Sequence, residues 1–220
     1  MELDFYLKER LGFVNFFFIT ASKPFEAIMS SIEKGESPFV PAYDDSGGEP
    51  QFLEEWREAN TGLESVGNAA LSMLSSSLQL FLNDWVCRIE DPNNRYPRTN
   101  KRGWFHAYRK ALKEVGVDFE GCPSDLKLIE QAVLARNRVQ HPDDLTVLRT
   151  THSKSDLKKY PSPFLVSEPD QSTLGFDHDS QTWWVAPNIL VDHEKLACVT
   201  TEIAAFCSWL EEMYWSTVKK

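Results

Sequence analysis

Cysteine is scarce in this 220-residue chain. Its four cysteines, Cys87, Cys122, Cys198 and Cys207, form no CxxC pair, which excludes a zinc ribbon and a thioredoxin-like centre. Reduced, mostly buried thiols are expected instead. Long hydrophobic runs are missing too. The longest, residues 11–21, contains Asn15 and Thr20 and is too short to span a bilayer. The first residues, Met1-Glu2-Leu3-Asp4, carry no basic cluster, so no secretory signal, no membrane partner and a cytoplasmic location are expected. Repeats and low-complexity segments are absent. Basic residues are the minority, 23 Lys and Arg against 33 Asp and Glu, a net charge of −10. That excludes a protein that coats nucleic acid through a general basic surface. What remains is globular: 42% of residues are apolar and 25% charged. A domain of this size buries roughly 70% of its unfolded surface and folds without disulfide or metal staples.

The apolar spacing is helical. Leu7, Leu11, Val14, Phe18 and Ala21 predict a first helix over 3–20, and Phe16 and Phe17 widen its apolar face. Ser22, Pro24 and Gly35 predict the start and stop of a short second helix. Pro38, Pro41, Gly47, Gly48 and Pro50 mark a loop. From there Phe52, Trp56, Ala59, Leu63, Val66, Ala70, Leu74, Ser77, Phe81 and Trp85 step by three or four, predicting a helix of about 60 Å. Gly62 and Gly67 predict a kink or break in it. Further helices are expected over 103–115 and from a Ser124 cap to His141, where Pro142 stops the run. Residues 142–160 read as irregular. Phe164-Leu165-Val166 and Thr182-Trp183-Trp184-Val185 predict a β-hairpin. Asp192 caps a last helix with Leu196, Val199, Ile203, Phe206, Leu210 and Met213 on one stripe. The expected fold class is all-α, a helical bundle with a small β-hairpin inserted before the last helix. Residues 1–220 make one domain, with 1–50 as an N-terminal helical extension and loop and 51–220 as the bundle core.

Charge is uneven. Residues 91–160 hold 14 Lys and Arg against 9 Asp and Glu, while the rest hold 9 against 24. An anion-binding face on an acidic body fits that asymmetry. Within it, Arg95, Tyr96, Arg98, Lys101 and Arg102, followed by Trp104, mix cations with aromatics in the manner of a surface that holds RNA phosphates and stacks a base. An ordinary solvated linker is the plain alternative. His141, Asp143, Asp144 and His152 match no compact metal-ligand spacing, so no metal and no cofactor are expected. Asn83 and Asp84 interrupt the apolar stretch 78–86 and read as a solvent-facing turn of the long helix.

The segment richest in chemistry is Leu134-Ala135-Arg136-Asn137-Arg138-Val139-Gln140-His141-Pro142. Asn137 and His141 lie four apart and share a helix face. Arg136 and His141 are about 140° apart around an unbroken helix, so two copies meeting across a twofold axis aim both groups into one cleft better than one copy does. A homodimer built on two copies of the motif follows from that offset. The plain reading makes Arg136 and Arg138 surface charges and His141 a helix cap interacting with the dipole.

At these residues the chain resembles the HEPN family, whose all-α bundles carry an Arg, four to six residues, then a His, with a polar residue after the Arg. Arg136-Asn137 followed by His141 fits the four-residue form, and the order of helices over about 60–215 fits as well. In catalytic members the resemblance implies metal-independent RNA cleavage. Here His141 would move a proton at the 2′- or 5′-oxygen, Arg136 would hold the phosphate, Asn137 would orient either, and Arg138 would join the RNA-binding residues. It also implies a toxin or defence effector with an antitoxin or regulatory protein as partner. Some family toxins carry a Tyr two residues past the His where a nucleotidyltransferase acts. Asp143 stands there, so that route of neutralisation is not expected. Many members are non-catalytic, and a helical module binding a protein partner or a nucleotide is the alternative function.

Overall fold

The computed structural model describes residues 2–42, 49–89, 99–141, 149–173, 176–177 and 182–218. Its helices are α1 (Leu3–Lys34), α2 (Leu53–Ile89), α3 (Trp104–Glu114), α4 (Leu126–Gln140), α5 (Lys154–Lys159), α6 (Glu168–Thr173) and α7 (His193–Val218).

The two helices expected before Gly35 are one. α1 runs through Pro24, which can donate no hydrogen bond to the preceding turn. Packing on α2 carries it past that loss. Phe25 lies against the backbone of Gly62, and the Trp56 indole Nε1 donates to Glu33 at 3.1 Å. Gly35, at φ 64°, ends the helix with a left-handed cap. The N-terminal segment is therefore one side of the bundle, with Leu3, Leu7, Leu11, Val14 and Phe18 in the shared core.

α2 holds together the length the sequence predicts, without a break. Its two glycines are sites of close approach. A Cβ on Gly62 would stand 2.3 Å from the Phe25 ring, and one on Gly67 would stand 2.5 Å from the Val191 carbonyl oxygen. Leu71, Leu74, Leu78, Leu82 and Trp85 face inward, each essentially buried. Truncating any of these leucines removes about 2–5 kcal/mol.

Pairwise contacts fix the helix directions. Phe18, midway along α1, lies beside His193 at the start of α7, while Ser208 of α7 donates to Asp4 of α1 at 2.7 Å, so these two run antiparallel. Gly67 of α2 approaches Val191, just before α7, and further along the Trp85 indole donates to the Leu210 carbonyl at 3.1 Å, so α2 and α7 run the same way. Arg88 and the Leu3 backbone N–H both meet the buried Glu211 carboxylate, at 3.0 and 3.3 Å. That carboxylate neutralises an arginine and faces the positive end of the α1 dipole. α4 packs on α2 and α7, as α1 does, so α1 and α4 take opposite sides of the α2–α7 pair.

The β-hairpin expected before the last helix does not form. Phe164, Leu165 and Val166 are bent rather than extended. Leu165 and Val166 plug the core singly, and the Leu165 carbonyl accepts the Leu190 N–H at 3.0 Å. What pairs is Phe176–Asp177 with Thr182–Trp183, antiparallel and two residues a side, and no further strand joins them among the described residues. Among the described residues the architecture is an α-helical bundle, and the hairpin expected from 164–166 and 182–185 is not part of it. β-branched and aromatic side chains gave the strand signal, and here they serve as isolated plugs. The irregular stretch expected over 142–160 includes α5, capped by the Ser153 side chain. No helix among the described residues is long and apolar enough to cross a membrane.

Candidate functional site

α4 delivers the Arg–Asn–His segment. Asp125, one residue beyond the expected Ser124, caps it by accepting from the N–H groups of Lys127 and Leu128 at 2.8 and 3.1 Å. Leu128, Ile129, Ala132, Val133 and Ala135 bury its inner face. Its outer face is fastened by the chain that follows. Glu130 accepts from Lys159 at 2.5 Å and from the Tyr160 hydroxyl at 2.6 Å. Burial pushes the Glu130 carboxyl up, but those two bonds outweigh it and hold it below the usual carboxylate range. Gln131 accepts the Phe164 N–H at 2.9 Å, and Arg138 Nε donates to the Thr151 carbonyl at 3.3 Å.

The three motif residues have different environments. Arg136 is half-buried. Its Nη1 donates to the neighbouring Asn137 Oδ1 at 3.1 Å, while its buried Nε has no partner. Burial pushes its pKa down, yet a guanidinium stays protonated. A guanidinium with N–H groups not engaged by the protein can donate to an anionic oxygen. His141 is exposed at the helix end, and its backbone N–H still bonds the Asn137 carbonyl at 3.1 Å. Its φ of −130° takes it off the helical path, so the offset calculated for an unbroken helix does not set its bearing. The reason for requiring two copies of the motif is thereby removed.

Of the expected RNA-binding residues, Arg95 and Arg98 lie outside the described residues, as do Asp143 and Asp144 of the rejected metal set. Lys101 and Arg102 are exposed in the turn before α3. Trp104 is only 7% exposed and packs edge-on against Phe105 and Tyr108, so it is a core residue and offers no stacking face. Arg138 is tied to Thr151. Asn83 is not the solvent-facing residue expected of it: it is buried and accepts the Tyr108 hydroxyl at 3.0 Å.

Lys101 and Arg102, the described end of the basic loop, lead into α3, which meets α2 at a different level from the chain past the motif. Arg149, just past the motif, pairs with Glu64 near the start of α2 at 3.4 Å. α3, which follows the loop, packs through Tyr108 on Asn83, far down α2. Those levels of α2 are about 28 Å apart at 1.5 Å per residue.

Other cations stand nearer the motif. Residues 149–160 carry Arg149, Lys154, Lys158 and Lys159 against Asp156 alone. Lys154 and Lys158 are exposed on α5, which starts three residues after the carbonyl that Arg138 grips. α5 packs on the 182–183 strand, and the next residue, Trp184, is 83% exposed. The charge run was readable in the sequence as part of 91–160. The exposure of Trp184, beside the anchored Trp183, was not, because adjacent tryptophans look alike in composition. His152 lies beneath this face, buried, with Nε2 at 3.0 Å from the Leu165 carbonyl. A carbonyl only accepts, so Nε2 carries the proton.

No protein-family model matches the chain, and no curated protein or solved structure matches it either. The HEPN resemblance accordingly rests on the motif and the helix order alone. Among the described residues no group of three or more His, Cys, Asp or Glu is placed to hold a metal ion.

Proposed function

We propose that the chain is a metal-independent RNA endonuclease of the HEPN kind, acting in the cytoplasm as a toxin or defence effector. The observation that carries this reading is the end of α4. There a half-buried Arg136 with an unmet Nε and an exposed His141 lie little more than one helical turn apart. In the reaction the 2′-oxygen attacks the adjacent phosphorus and the bond to the 5′-oxygen breaks. The products end in a 2′,3′-cyclic phosphate and a 5′-hydroxyl. His141 accepts the 2′-proton or donates one to the leaving oxygen, since an imidazole nitrogen can serve as either base or acid. Arg136 meets the phosphoryl oxygens as charge builds on them. Asn137 holds the guanidinium in place. Lys154 and Lys158 take flanking phosphates, and Trp184 stacks an unpaired base.

The test is binding of a short single-stranded RNA by fluorescence anisotropy. Arg136→Ala should weaken binding, and Arg136→Lys should restore it poorly, because an ammonium lacks the planar two-pronged donor set. Full restoration by lysine, or no effect of alanine, sinks the phosphate-site reading. A non-catalytic module that binds a partner protein or nucleotide is the second reading. The distance between Lys101–Arg102 and the motif favours it, since the two basic features do not form one groove.

A further inference from the structure

The outer face of α1 carries an apolar strip that neither the fold nor the proposed RNA site uses. Phe5, Phe13 and Phe16 are 56%, 58% and 63% exposed, and Tyr6 and Ile19 join them. Phe5 pairs edge-on with Tyr6, and Phe13 lies tilted against Phe16, on either side of Gly12. At about 100° per residue the strip centres opposite the stripe of Leu3, Leu7, Leu11, Val14 and Phe18 that enters the core. These five residues alone expose on the order of 500 Å² of side chain, at the upper end of a monomer's largest apolar patch. With flanking Glu2, Glu9, Thr20 and Lys23 the strip approaches the ~800 Å² that a standard interface takes from each partner.

We infer that this face is a homodimer interface, closed by a second copy of α1 lying antiparallel across a twofold axis near Gly12 and Phe13. Self-complementarity singles out a second copy. In that register Phe13 packs over the partner's Gly12, where a Cβ would meet nothing within 4 Å and the surface is open. Tyr6 meets the partner's Ile19, and Glu9 lies along the partner's Phe16. At both ends the exposed Glu2 faces the partner's exposed Lys23, so charge and apolar matching fall in one register. Such a pairing spans about 33 Å of helix. Because α4 lies on the far side of the α2–α7 pair, the Arg136–His141 end of α4 stays open to solvent. The inference is therefore independent of the nuclease reading.

Sedimentation velocity of the purified full chain across the micromolar range tests it. The wild type should move from monomer to dimer. Phe13→Glu with Phe16→Glu should raise the dissociation constant at least about 100-fold while leaving the thermal midpoint of the monomer intact, since both residues are exposed. Glu2→Lys or Lys23→Glu alone should each weaken the dimer by roughly 5-fold, as the contact recurs twice, and the double exchange should restore it. A wild type that stays monomeric overturns the inference, as does a Phe13→Glu/Phe16→Glu protein that still dimerises. Failure of the double exchange to restore association overturns the antiparallel register.

Discussion

Arg136 donates from Nη1 to the Oδ1 of its own neighbour, Asn137, across 3.1 Å. Adjacent residues point about 100° apart on a helix and rarely meet. Here the long arginine folds across, one edge of its guanidinium engaged and its buried Nε left over. Asn137 is thus a positioning residue in the proposed site. Asn137→Ala should lower kcat/KM about tenfold by loosening the guanidinium. Asn137→Asp should lower it further, because a carboxylate there competes with the phosphate for the charge. Asn137→Ala should leave the pH profile of cleavage unchanged, since it removes no charge beside His141. A shifted profile would contradict that division of labour.

His152 gives a stability signature. Burial pushes its pKa below the ordinary imidazole value, against smaller opposing effects of the Leu165 carbonyl and Asp156. A histidine depressed in the folded state favours unfolding once protons bind. Its contribution is complete above the unfolded value of about 6.5 and declines as pH falls from there toward the folded value. Chemical denaturation from pH 7 down to pH 5 should show that decline. His152→Gln, whose amide can still donate to the Leu165 carbonyl, should flatten it. An unchanged slope would place the titration elsewhere.

Gly67 separates two opposing expectations. Glycine inside a helix costs about 1 kcal/mol relative to alanine, so Gly67→Ala should stabilise α2 if propensity decides. The added methyl, however, would stand 2.5 Å from the Val191 carbonyl oxygen, a backbone atom that cannot swing aside. Overpacking of that kind costs about 1–3 kcal/mol. Gly67→Ala is expected to lower the thermal midpoint by several degrees. A higher midpoint would show that the segment before α7 yields.

The helices α2, α4 and α7 were legible in the sequence because each carries its own periodic stripe and its own stop. α1 was divided at Pro24 because a proline reads as a boundary, whereas the packing that overrides it comes from Trp56 and Gly62, some thirty residues away. The glycines of α2 were legible as exceptions but not as contact points. The segments 164–166 and 182–185 have strand composition, yet the hydrogen bonds of Leu165 go to Leu190 and His152 rather than to a partner strand. At the candidate site the identities of Arg136, Asn137 and His141 were readable. The burial of Trp104 and the placing of Lys101 and Arg102 depend on where α3 lands on α2, which no local pattern encodes.

The nuclease reading is tested most directly by incubating the purified protein with a mixed-sequence single-stranded RNA in EDTA, beside its His141→Ala variant. Cleavage should proceed without metal and leave 5′-hydroxyl ends. The variant should be slower by about 10²–10⁴-fold while keeping the wild-type thermal midpoint. Cleavage that stops with EDTA, or that persists in the His141→Ala protein, would contradict the mechanism and leave the end of α4 as a binding surface.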